Sequence, residues 1–361
     1  MGLVVPCELR RKVAVKATGE SVKHDTIDIA VLGRRGIAMR NKWIDGMMGV
    51  VVGDALGMPV QFVSREELRQ NPVKTMEGYG TYNMPPGTWS DDSSMALATL
   101  VSIRENRGID CNDIMERFVA WNLYGEYTPA GKSFDQGNTC MEAICNYMWK
   151  QDATTCGKTG EWANGNGALM RIMPVCLYAY EKMNCGAWTE EEAMEQVQQV
   201  AALTHNHLRS HIACVMYCYM VRSILDETGT LRERLQKGVD DTMRYYHKDI
   251  STYVELAHYG RLFHLDEFAT CKEENIKSTG YVVDSLEAAV WSLLTTESLE
   301  EALLRAVNLG DDTDTVGAIA GGLAALYYGY ESAPEEWRSR IIKPELFVAV
   351  CEEMEGCAGG V

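Results

Sequence analysis

The chain has 361 residues, 46% of them hydrophobic, which is material for a sizeable core in one large domain or two. Its 34 Lys and Arg stand against 51 Asp and Glu, a formal net charge of −17. That balance excludes the broad basic face that nucleic-acid or anionic-membrane binding needs, and leaves room only for a local basic pocket.

Residues 1–40 differ from the rest: they hold eight Lys and Arg against four acids, with short β-branched runs such as Ile27-Asp28-Ile29. They contain no uninterrupted apolar stretch of the kind a signal peptide carries. They read as an extension of the main domain, either loosely attached or a partner-binding arm. From Trp43 to Gly57 the chain is apolar and rich in glycine, interrupted by Asp45 and Asp54 and short for a membrane span. The stretch predicts a buried helix packed through its glycines. Asp54 is then a carboxylate in apolar surroundings, and needs a partner or a metal.

Pro85-Pro86-Gly87 marks a turn, and Ser90 sits where an N-cap is expected ahead of an apolar helix that begins near Met95. Between them lie Asp91 and Asp92. Further on, Asp135 stands near the start of another predicted helix, where its simplest role is a cap. Gly165-Asn166-Gly167-Ala168-Leu169-Met170-Arg171 is a glycine-rich loop entering a helix, where backbone N–H groups can receive phosphate oxygens, although it matches no standard nucleotide-binding pattern. His205, His207 and His211 follow; Leu208 stands where the zinc-protease motif has its glutamate, so hydrogen bonding to a ligand or backbone is the better reading.

Residues 212–258 read as continuous helical material, 259–283 as a long polar surface loop, and 284–294 and 299–309 as helices. Gly310-Asp311-Asp312-Thr313-Asp314-Thr315 then opens a helix of small residues. Such a cluster is either an acidic N-cap or a site for a hard divalent cation such as Mg²⁺ or Mn²⁺, which takes oxygen ligands. It has the same chemistry as the cluster at 90–93, and the pairing suggests two helix starts meeting around a metal centre. No alternating β/α pattern appears after residue 40, so the fold class is all-α, with 41–361 as one domain. The twelve cysteines include no C-x-x-C pair and read as reduced thiols, which places the protein in the cytoplasm.

Five motifs in this order resemble the ADP-ribosylglycohydrolases related to dinitrogenase reductase-activating glycohydrolase: Gly53-Asp54-Ala55-Leu56-Gly57, Ser90-Asp91-Asp92-Ser93, Phe134-Asp135-Gln136-Gly137-Asn138, Gly165-Asn166-Gly167 through Pro174, and Asp312-Thr313-Asp314-Thr315. The resemblance spans residues 43–330. It implies a single large orthogonal helical bundle with a binuclear metal cleft that removes ADP-ribose from modified protein side chains, arginine above all. It further implies two Mg²⁺ or Mn²⁺ ions held by Ser90, Asp91, Asp92, Asp312, Asp314 and Thr315. Asp135, with Asp92 and Asp312, would serve catalysis. Gln61, Asn138, Gly165, Asn166, Gly167, Met170, Arg171 and His205 would contact ADP-ribose.

Three positions depart from the family pattern. Gln61 stands where many members have Glu, and a glutamine cannot take a proton. Ser90 replaces a common Thr, and Asp311 a frequent Gly. Gln61 opens an alternative, a protein that binds ADP-ribose without cleaving it. An isoprenoid synthase is a weaker competitor, because Asp91-Asp92-Ser93-Ser94-Met95 lacks the third aspartate of that motif.

Overall fold

The computed structural model describes residues 40–226 and 228–357. The extension expected over residues 1–40 therefore lies outside the described residues, apart from Arg40. Twelve helices of nine residues or more follow in chain order: α1 Lys42–Gly57, α2 Asp91–Asn106, α3 Cys111–Tyr124, α4 Asn138–Lys150, α5 Met173–Asn184, α6 Glu190–Ala202, α7 Leu208–Leu225, α8 Leu231–Tyr246, α9 Val282–Leu294, α10 Leu299–Val307, α11 Thr313–Tyr328 and α12 Glu345–Cys357. The fold is all-α: β pairing among the described residues is confined to two isolated bridges, Lys158 with His205 and Gly165 with Tyr281.

The glycines of α1 recur every fourth residue, at 49, 53 and 57, and so line one face of the helix. Gly317 and Gly321 do the same on α11. The two stripes meet backbone to backbone. A Cβ placed on Gly53 would lie 2.0 Å from the Gly317 carbonyl oxygen, and one on Gly321 would lie 2.2 Å from that of Gly49. Because Gly49 meets Gly321 while Gly57 meets Thr313, the helices run antiparallel. The C-terminal end of α1 is thereby brought against the N-terminal end of α11, which is where Asp54 and the 312–315 acids lie. Arg40 closes the far end of α11, donating from Nη2 to the carbonyls of Ala325 and Leu326 and from Nη1 to that of Tyr327.

Asp54 is fully buried and fixes α2. Its carboxylate accepts from the Ser90 N–H at 3.0 Å, the Ser93 N–H at 3.1 Å and the Ser93 hydroxyl. These groups belong to a helix start, whose N–H groups lack partners within the helix and whose dipole favours a negative charge. Each such charge-assisted bond contributes about 1.5–3 kcal/mol.

One helical expectation and one loop expectation need correction. The run 212–258 is interrupted between α7 and α8, where Gly229 adopts φ +74° and Thr230 forms a capping box with Glu233. Residues 259–283 are not an open surface loop. They include the short turns Ala257–Phe263, Leu265–Phe268 and Glu273–Asn275, and bury Tyr259, Leu262, Leu265, Phe268 and Ile276. Single helical turns with one apolar residue each give too short a period to stand out in a sequence window.

Candidate active site

The acidic residues sort themselves by what their side chains do at the helix starts. Ser90 is the N-cap of α2, its hydroxyl accepting from the Asp92 N–H. Asp312 is the N-cap residue of α11 by position, but its side chain makes no capping hydrogen bond. Asp135 is not a cap either, since Gly137 takes that place at α4. The carboxylates of Asp312 and Asp135 are therefore free for other partners. Asp312 Oδ2 accepts from Asn166 Nδ2 at 2.6 Å, and its Oδ1 accepts a long 3.5 Å bond from Gln61 Nε2.

The structure brings the two clusters together. Asp92 Oδ2 accepts from the Ser90 hydroxyl at 3.1 Å and from the Thr315 hydroxyl at 3.4 Å, so the starts of α2 and α11 share one carboxylate. Ser90, Asp91, Asp92, Asp312, Asp314 and Thr315 are all buried. Burial pushes the Asp91, Asp92 and Asp314 carboxyls well above the usual carboxylate range, and neighbouring acids push them further: Asp135 beside Asp91, Asp54 beside Asp92, Asp92 beside Asp314. Asp54 itself is pushed up to about 7 by burial, against the pull of its bonds from Ser93 and Ser90. Asp312 is raised by burial and held back by the Asn166 amide.

Packed acids of this kind must either hold protons or face a cation. The donor set answers which it suits. Asp92 Oδ1 and Asp314 Oδ2 are buried with no hydrogen-bond partner among the described residues, and so is Asp135 Oδ2. Carboxylate and hydroxyl oxygens without nitrogen or sulfur match hard divalent cations. The residues present therefore fit a hard divalent cation of the kind that the resemblance implies. A different group, Glu161, His207 and Glu255, has ligand atoms within 4.8 Å of one another. There Arg209 already donates to Glu161 at 2.7 Å and to Glu255 at 2.8 Å, so both carboxylates are paired with a guanidinium. The buried acids at 90–92 and 312–315 supply no such compact triple among the described residues.

Tyr82 is a site residue that the sequence did not single out. Its hydroxyl lies 2.6 Å from Gln61 Oε1 and also bonds Asp135 Oδ1, while its ring packs on Phe134 at 5.3 Å. Burial and the Asp135 carboxylate push the phenol far up. It sits in an irregular loop without periodicity, and nothing in the local sequence marks it.

The glycine-rich loop is strapped to the start of α9. Val282 N–H donates to the Asn164 carbonyl at 2.9 Å, Asn166 N–H to the Gly280 carbonyl at 3.0 Å, and Asn166 Nδ2 also reaches Ser285 Oγ at 2.9 Å. His205, nearly fully buried, lies against this loop: a Cβ on Gly167 would come within 2.9 Å of His205 Cε1 and of Cys140 Sγ. Met170 and Arg171 turn away from the loop into the core. Arg171 is wholly buried, with its guanidinium 4.8 Å from the Phe118 ring centre. Asn138 is exposed at the first turn of α4.

A family model described as ADP-ribosylglycohydrolase matches residues 36–358. The chain is 29% identical over 309 residues to the ADP-ribosylarginine hydrolase Tri1 of Serratia proteamaculans, covering 85% of this chain and 77% of the relative. It is 30% identical over 308 residues to the ADP-ribosyl-[dinitrogen reductase] glycohydrolase of Rhodospirillum rubrum, covering 85% and 92%. A solved structure titled ADP-ribosylglycohydrolase-related protein complex superposes with a TM-score of 0.71 at 28% identity, over 88% of this chain and 98% of that one. With its all-α architecture and its two acidic motifs meeting at helix starts, the chain belongs to the ADP-ribosylglycohydrolase family.

Proposed function

We propose that this protein is a metal-dependent hydrolase that removes ADP-ribose from modified protein side chains, cleaving the glycosidic bond at the anomeric carbon, with ADP-ribosyl-arginine as substrate and ADP-ribose as product. The observation that carries this reading is the pair of buried carboxylate oxygens without donors, Asp92 Oδ1 and Asp314 Oδ2, in a pocket of six acids. Two relatives named as hydrolases of ADP-ribosyl groups, one of them on arginine, support the linkage.

Ser90, Asp91, Asp92, Asp312, Asp314 and Thr315 would hold two Mg²⁺ or Mn²⁺ ions. Bound there, the ions supply Lewis-acid polarisation of substrate oxygen and offset the charge of the acids. The chain's own groups do the rest. Asn166 and Gln61 orient Asp312 through its two oxygens. Tyr82 holds Asp135 by Oδ1 and leaves Oδ2 free, so Asp135 is the group placed to manage the proton of the leaving side chain. Gln61 cannot exchange protons; it orients. The Gly165–Gly167 loop and His205 receive the ADP-ribose, with Asn138 at the rim. The described cysteines are free thiols, which supports a cytoplasmic location, and no helix among the described residues is long and apolar enough to cross a membrane.

The non-hydrolytic alternative raised by Gln61 is not favoured, because the similar proteins are named as hydrolases. The test is release of free ADP-ribose from arginine- and serine-ADP-ribosylated peptides with Mg²⁺, with Mn²⁺ and after chelation. Release from the arginine peptide that chelation abolishes is the expected result. Absence of release, with tight ADP-ribose binding by calorimetry, would overturn it in favour of the binding protein.

A further inference from the structure

Arg171 lies beneath the glycine-rich loop, fully buried, and its Nε and Nη1 have no partner among the described residues. Its Nη2 donates to the Val200 carbonyl at 3.1 Å and to Thr204 Oγ1 at 2.8 Å. Thr204 Oγ1 in turn lies 2.9 Å from His205 Nδ1. The polarity of this short chain follows from what each group can do. A guanidinium only donates, so Thr204 Oγ1 is the acceptor of the first bond. The hydroxyl's one proton then has two acceptors within reach, Cys140 Sγ and His205 Nδ1, and the imidazole nitrogen is the stronger of the two. That makes Nδ1 the acceptor and puts the ring proton on Nε2. Nε2 is also the nitrogen beside the loop, 3.3 Å from where a Cβ on Gly165 would stand. The backbone on either side of the imidazole is pinned, with Lys158 N–H donating to the Thr204 carbonyl at 3.0 Å and Asn206 N–H to the Lys158 carbonyl at 2.8 Å.

We propose that Arg171 is a positioning residue: acting through Thr204, it locks His205 as an Nε2–H donor for an anionic oxygen of bound ADP-ribose. The ligand half of this statement rests on the proposed function; the tautomer half does not. Burial and the adjacent guanidinium push His205 down to about 3, which keeps the ring neutral and leaves a single proton to be placed. Arg171 thus serves the ligand from below the loop rather than by touching it.

The test uses the full chain labelled with ¹⁵N-histidine. Imidazole nitrogen resonances, assigned to His205 by loss in His205→Asn, report the tautomer directly, and calorimetry with ADP-ribose reports binding. The wild type is expected to show a pyrrole-like Nε2 and a pyridine-like Nδ1. Thr204→Val, which keeps the shape and removes the hydroxyl, should mix the tautomers and weaken ADP-ribose binding about tenfold, while Thr204→Ser restores both. A proton on Nδ1 in the wild type overturns the proposal, and that spectrum decides even where Thr204→Val does not fold. A Thr204→Val protein with unchanged tautomer overturns it as well. If the wild type shows the Nε2–H tautomer yet binds no ADP-ribose, the ligand half fails together with the functional reading, and the lock itself stands.

Discussion

Replacing Asp314 by Asn should make the metal-free protein more stable and the metal-loaded protein less so. Asp314 is fully buried; its Oδ1 accepts from the Thr315 N–H at 2.9 Å, and its Oδ2 faces other acids with no donor. An unsatisfied buried oxygen of this kind costs about 1–3 kcal/mol. Asparagine keeps the first bond and turns the second oxygen into an NH₂ that can donate to the acids around it. In chelator, at a pH that ionises the wild-type carboxyl, the variant should therefore gain about 1–3 kcal/mol, or about 1–4 °C in Tm at roughly 1.3 °C per kcal/mol for a chain of this size. With Mn²⁺ at a thousand times its Kd the wild type gains about 4.1 kcal/mol by linkage. The variant loses most of that gain, so the order of the two melting temperatures inverts between chelator and saturating Mn²⁺. Scanning calorimetry across an Mn²⁺ titration, with turnover measured alongside, reads both arms. A variant that melts below wild type in chelator yet shows the same Mn²⁺ shift would refute the assignment of Asp314 as a ligand.

Tyr82→Phe keeps the ring against Phe134 and removes the hydroxyl whose one proton lies between Gln61 and Asp135; kcat should fall about 10²-fold with KM little changed, and an unaltered kcat in steady-state assays would exclude the role. Gly53→Ala forces a methyl to 2.0 Å from the Gly317 oxygen and should cost about 3 kcal/mol of stability, whereas Gly160→Ala, with nothing within 4 Å, should be near neutral in denaturant titrations. In chelator the protein should lose stability as pH rises from 5 to 8. Asp54 is raised from 3.8 to about 7, and Asp91, Asp92 and Asp314 are raised too. An acid with a raised folded-state pKa contributes stability while protonated and loses it as pH climbs from its unfolded to its folded value. Melting temperatures that rise over this range without metal would contradict the crowding of these acids.

The helical class was legible because glycine spacing and apolar runs are local signals: Trp43 to Gly57 reads as a buried glycine-packed helix, and α1 spans Lys42–Gly57. The site was half legible. An Asp at a helix start has the same local sequence whether it caps its own backbone or turns outward, and only the fold separates Ser90, which caps, from Asp312 and Asp135, which do not. Arg171 shows the converse. It follows the glycine loop directly in sequence, yet Ala168 to Arg171 curl into the core, so contiguity with a binding loop is no guide to where a side chain goes. Tyr82 left no trace at all, since its meaning lies in two partners 21 and 53 residues away.

The backbone around the acids carries a conformational cost that the scaffold has to hold. Phe62, Asp311 and Asp135 adopt φ of +67°, +65° and +55°, a region that L-residues avoid at roughly 1–2 kcal/mol each. Phe62 follows Gln61, and Asp311 precedes Asp312. The two are tied to each other, with Phe62 N–H donating to the Asp311 carbonyl at 2.6 Å and Asp311 N–H to the Val63 carbonyl at 2.9 Å. Arg65 braces the same junction, donating from Nε to the Leu309 carbonyl at 2.7 Å and from Nη2 to that of Ile276 at 2.6 Å. Strain persists where neighbours over-determine the geometry, and here the neighbours include the glycine contact of α1 with α11, which leaves no room for the helices to slide. The same contact that brings the helix ends together is what allows mutually repelling acids to be held at close range, so the packing of small residues that runs from Gly57, beside Asp314, back to Gly49 is a condition of the site.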